Sequence, residues 1–165
     1  MNKDKLITEI NLAYDKTEVL KQIISKHDKI IILGNGGSQA VASHISQDYS
    51  KKLGKKSFTF SDPSRLTCYI NDYGMENANK EFLKQFADQD TLVILISSSG
   101  NSINMLNSAQ FCSEQKINFI CLTGFQEENK LKTISSDYKL FDMWVNSSDY
   151  GIVECVHQIY LHSIL

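Results

Sequence analysis

Four of the six residues in Ser97-Ser98-Ser99-Gly100-Asn101-Ser102 carry hydroxyls, and the segment stands between the apolar run Leu92–Ile96 and a stretch of helical spacing over 102–115. Hydroxyls and unpaired amides at a helix start form a neutral, donor-rich cradle, and the helix dipole favours an anion there, a phosphate dianion above all. A second loop, Gly34-Asn35-Gly36-Gly37-Ser38, has the same setting between the run Ile30–Leu33 and a helical segment over 38–52. Its glycines permit a tight turn and close approach by a ligand, and Ser38 either caps the helix or offers its hydroxyl to that ligand. It is not a dinucleotide fingerprint, since the third glycine is missing, and not a P-loop, which needs a lysine after the glycine. Alone it reads equally well as a structural turn. Two such loops together make the anion reading the stronger one.

The elements that must carry these loops follow from periodicity. Short apolar runs recur at Ile30–Leu33, Ser57–Phe60, Leu92–Ile96, Asn118–Leu122 and, more weakly, Leu140–Val145. Strands that are apolar on both faces belong to a sheet covered on both sides. Helical spacing fills the intervals: 38–52, 102–115, 151–165, and one long N-terminal helix over 3–26 whose stripe is Leu6, Ile10, Ala13, Val19, Leu20, Ile23 and Ile24. Alternating β and α units predict right-handed crossovers and a three-layer αβα sandwich around a five-stranded parallel sheet, as a single domain over 1–165. In such sheets ligands lie beyond the carboxyl ends of the strands, where both loops fall.

Composition narrows the class. A net charge of −2 with scattered lysines argues against nucleic-acid binding, and Lys51, Lys52, Lys55 and Lys56 read as a solvated helix end. No apolar stretch approaches the roughly 20 residues that span a bilayer, and the charged N-terminus lacks the pattern of a signal peptide, which predicts a cytoplasmic protein without membrane partners. Cys68, Cys112, Cys121 and Cys155 form no CxxC pair and are expected to be buried free thiols.

The ordered set GNGGS at 34–38, SSSGNS at 97–102 and Leu122-Thr123-Gly124, with Ile70-Asn71-Asp72-Tyr73-Gly74 between, resembles the SIS (sugar isomerase) phosphosugar-binding domain, and within it the phosphoheptose isomerases. The resemblance runs from about Ile30 to His162. It implies an aldose–ketose isomerase converting sedoheptulose 7-phosphate to a D-glycero-manno-heptose 7-phosphate through an enediolate, for the heptoses of bacterial surface polysaccharides. It also implies homotetramers. Ligand contacts are expected from Asn35, Gly36, Gly37, Ser38, Ser97, Ser98, Ser99 and Ser102, and from Asn71 and Asp72 at a loop tip. The family's catalytic glutamate falls on Asp48 and its catalytic histidine on His162; zinc, found in some members, would be held by His44, Asp48, Glu154 and His162. His44 and Asp48 share a helix face at i and i+4, and Glu154 and His162, about 80° apart around a helix, are expected to face the same site. Asp48 and Glu154 replace a glutamate and a glutamine, and Ile152 stands where the family has arginine. These departures keep two other readings open: a non-catalytic phosphosugar-binding or interaction module, and an isomerase or epimerase of a modified heptose phosphate. His157 is expected to brace its helix, and His27 to be a surface or capping residue.

Overall fold

The computed structural model describes residues 1–165. Five strands, β1 (Lys29–Leu33), β2 (Lys56–Thr59), β3 (Thr91–Ser97), β4 (Asn118–Thr123) and β5 (Lys139–Trp144), form one sheet in the order β2-β1-β3-β4-β5. All four pairings are parallel. The five-stranded α/β sandwich expected from periodicity is the fold observed. The order reverses between β1 and β3, so the loops that follow these two strands diverge to opposite faces and leave a crevice between them.

Side chains alternate along the strands and divide the core in two. Ile30, Ile32, Ile94, Ile96 and Leu122 pack with α3 (Gly37–Leu53), α8 (Tyr150–His162) and the N-terminal helices. Ile31, Leu33, Val93, Leu95 and Phe119 pack beneath α5 (Met75–Phe86) and α6 (Ile103–Glu114). β3, central in the order, is buried at every position, whereas the edge strand β2 is only half-buried.

Three expectations are corrected. The N-terminal stripe is two helices, α1 (Lys3–Tyr14) and α2 (Thr17–Ser25). The break at Asp15-Lys16 is tied down from α8: Tyr160 donates to the Lys16 carbonyl at 3.4 Å and Thr17 to Ser163 Oγ at 2.9 Å. Asn71 and Asp72 lie in no loop tip but in the last turn of α4 (Pro63–Tyr73), which opens with Pro63 and an Asp62 cap donated to by the Arg65 amide at 2.8 Å. Cys112 and Cys121 are buried free thiols, but Cys68 and Cys155 are exposed, because they occupy the outward faces of α4 and α8. No helix is long and apolar enough to cross a membrane.

Candidate active site

The glycine and serine loops line one cleft of ≈ 230 Å³ at the carboxyl edge of the sheet, together with Tyr150 and Glu154 from the start of α8. It contains Asn35, Gly36, Gly37, Ser38, Ser97, Ser98, Ser99 and Ser102, the whole of the expected set except Asn71 and Asp72, which sit exposed on α4 outside it. Local geometry explains the donors. Gly36 caps α3 at φ 53° and provides no side-chain acceptor, so the Gly37 and Ser38 amides stay without a backbone partner. Gly100 turns at φ 64°, and a side chain there would overlap Asn129. The Ser98 and Ser99 amides are also unpaired, and the buried Ser98 hydroxyl has no partner at all. A buried hydroxyl without a partner is costly unless a ligand completes it.

Asn104 was invisible to sequence reasoning. Its amide and that of Asn35 exchange hydrogen bonds at 3.0 and 2.9 Å, joining the glycine loop to α6. Asn35 therefore lines the cleft while its side chain serves as a brace. Nothing in local spacing signals a contact between residues 69 positions apart.

A second cluster lies further along α3 and α8. His44, Asp48 and His162 each offer a ligand atom, all within 4.8 Å of one another. Asp48 Oδ2 stands 3.4 Å from His44 Nε2, 3.2 Å from His162 Nε2 and 3.8 Å from Lys52 Nζ, while Oδ1 is free. Burial acts to raise the Asp48 carboxyl, but the hydrogen bond with His162 and the charges of Lys52, His44 and His162 together hold it below its ordinary value. Asp48 is therefore ionised at neutral pH. His162 donates from Nδ1 to the Gln158 carbonyl at 3.0 Å, which leaves Nε2 facing a carboxylate oxygen. Two lone pairs at that distance repel, so a positive centre belongs between them, either a proton or a metal. The buried Tyr49 hydroxyl donates to the Leu161 carbonyl at 2.9 Å and sets the register in which the neighbouring residues Asp48 and His162 meet.

Glu154 is not in that cluster. It lies about two turns before His162 on α8 and is not among the residues whose ligand atoms converge there. Its carboxylate lies instead against Gly37 in the serine cleft. His157, as expected, is a brace: fully buried, it donates from Nε2 to the Thr123 carbonyl at 3.1 Å. His27 is not on the surface; it is buried, with Nδ1 donating to the Ile23 carbonyl at 2.8 Å to close α2 and Nε2 accepting from Asn118 at 3.0 Å. A larger concavity, ≈ 1020 Å³, opens at the opposite edge of the sheet and holds none of these loops. Its charges are mixed and partly paired, as in Lys29 with Asp88 at 2.7 Å, and it selects no ligand class.

Comparison with known proteins agrees with this fold. The SIS domain family model matches residues 5–124, from α1 through both anion loops to the end of β4. A phosphoheptose isomerase of Fusobacterium nucleatum is 32% identical over 151 residues, 88% of this chain and 75% of the relative. The chain belongs to the SIS domain family, in its phosphoheptose isomerase branch. A second relative, the phosphoheptose isomerase of Cytophaga hutchinsonii, is 25% identical over 152 residues, 89% of this chain and 76% of its own. Among solved structures, phosphoheptose isomerase GmhA from Neisseria gonorrhoeae superposes with a TM-score of 0.80 at 23% identity, over 98% of this chain and 91% of that one, and shows the shared SIS fold. The SIS family match ends at Gly124, so the placement of α8 and its His162 rests on the contacts above.

Proposed function

We propose that this SIS protein is a phosphoheptose isomerase, converting sedoheptulose 7-phosphate to D-glycero-manno-heptose 7-phosphate. One observation carries the reading: α3 runs from the donor-rich phosphate cleft at its start to an ionised carboxylate, Asp48, with a free oxygen. Eleven residues separate Gly37 from Asp48, a rise of about 16 Å, and side chains on a helix lean towards its N-terminus, which brings the Asp48 carboxylate back towards the cleft. An extended seven-carbon chain with its terminal phosphate spans about 10 Å on ordinary bond lengths. With the phosphate on the serine loop, the sugar chain runs along α3 towards the cluster.

There Asp48 Oδ1 takes the proton from C1 of the ketose and returns it to C2, while the hydroxyl proton passes from O1 to O2. His44 and His162 face the oxygens, so the positive centre they hold meets the negative charge that develops there. Two imidazoles and one carboxylate with an open side suit zinc. When bound, zinc would act as a Lewis acid on the carbonyl oxygen. The lowered Asp48 carboxyl makes a weak base, so more of the acceleration falls to charge stabilisation on oxygen. A binding module without turnover would not need an ionised carboxylate with one oxygen kept free, which favours the enzyme.

We also place the protein in the cytoplasm, as a homotetramer, and as one SIS domain. Exposed Ile7, Leu12 and Tyr14 on α1 support self-association. The decisive experiment is turnover of sedoheptulose 7-phosphate in deuterated water, with deuterium expected at C2 of the product. Asp48→Asn is expected to lower kcat by about 10²- to 10⁴-fold, as loss of a general base does. Metal analysis should find zinc, and chelation should remove activity that zinc restores. Full activity in Asp48→Asn would sink the site assignment.

A further inference from the structure

Glu154 is the only acidic group lining the phosphate cleft, and no lysine, arginine or histidine lines it. Its carboxylate presses on Gly37, where a Cβ would come within 2.5 Å of the carboxyl carbon. Gly37 is the first residue of α3, whose initial amides lack backbone partners. A side-chain carboxylate thus stands where the helix would draw an anion. The N-terminus of α6, on the other side of the same cleft, is free of acids and presents the unpartnered Ser98 hydroxyl.

We propose that Glu154 is a specificity-determining residue: it closes the α3 end of the cleft to phosphate, confines the phosphate to the serine loop, and accepts hydrogen bonds from the sugar hydroxyls nearest that phosphate. An ionised carboxylate is acceptor-only, which matches a polyol and repels a second phosphate. The protein therefore selects a phosphate monoester of a hydroxyl-rich chain over a diphosphate, which would otherwise bridge the two helix N-termini. Glycine at 37 is required for this arrangement, since any side chain would displace the carboxylate. The inference rests on the sugar-phosphate reading above.

The test is Glu154→Gln, nearly isosteric and only half-buried, with folding checked by thermal unfolding. Calorimetric titration would measure affinity for sedoheptulose 7-phosphate, inorganic phosphate and inorganic pyrophosphate in both proteins. Removing a like charge a few ångströms from a bound anion is expected to tighten pyrophosphate binding by about tenfold or more. Affinity for the sugar phosphate should fall, so the preference for the monoester shrinks or reverses. An unchanged preference overturns the role of Glu154, and so does loss of bound zinc without any change in preference. A wild-type protein that binds none of the three phosphates overturns the sugar-phosphate reading itself.

Discussion

Asp48 and His157 show opposite ways of tuning a charge within one pair of helices. Asp48 is kept ionised by partners on three sides, and its remaining oxygen is what a base requires. His157 has no room for a charge: burial drives its pKa from 6.5 down to about 4, against the weaker effect of its hydrogen bond to Thr123. Below about pH 6.5 the unfolded imidazole binds a proton that the folded one refuses. Stability is therefore full above that pH, falls as pH drops towards 4, and loses about 3 kcal/mol across the window. Asp48, Asp88 and Asp149, all lowered from 3.8, add their losses only at more acidic pH. Chemical denaturation at pH 7, 6, 5 and 4.5 should show this slope, and His157→Gln should flatten it. An equal slope in both proteins would mean the folded imidazole titrates normally. At this scale the resemblance singled out His44, Asp48 and His162, and the structure brings these three together. The resemblance grouped Glu154 with them, whereas its carboxylate lies against Gly37 in the serine cleft.

Among the elements, the loop–helix junctions bear the function and the α3–α8 contact aligns it. Gly100 combines a left-handed backbone with a place that Asn129 fills. Gly100→Ala is expected to destabilise by about 1–3 kcal/mol and to weaken phosphate binding by displacing the serine loop. Calorimetry with inorganic phosphate and a urea titration would measure both effects; a variant with wild-type stability and affinity would show that the loop tolerates a side chain. Tyr49 acts further down. Tyr49→Phe keeps the ring in the core but orphans the Leu161 carbonyl, with an expected loss of about 1–2 kcal/mol. Because Asp48 and His162 are its neighbours, kcat should fall more than the affinity for sugar phosphate. Equal changes in kcat and affinity would count against a role in register. Both anion loops were legible from glycine, serine and the flanking periodicity. The helix α5 was not, since no strand directly precedes it, and the N-terminal stripe concealed a break that α8 imposes from outside.

For the whole molecule, the sheet order is what turns separate loops into one site. β3 lies beside β1 although β2 comes between them in sequence, and the α3 and α6 N-termini meet across the switch point. Both halves of the core share that sheet, so the chain is expected to unfold as one unit. Urea curves from Trp144 fluorescence and far-UV circular dichroism should superimpose; two separated transitions would contradict the single-domain reading. Unaided, the sequence determined the αβα class, the two anion loops and their place at the carboxyl edge, because hydrophobic period and turn chemistry are local properties written in neighbouring residues. Tertiary structure alone decided the strand order, the Asn35–Asn104 brace, the placement of Glu154 over Gly37 and the three-residue cluster at Asp48. Each of these depends on which distant segments pack together, and packing is settled by the burial of whole faces rather than by any spacing along the chain.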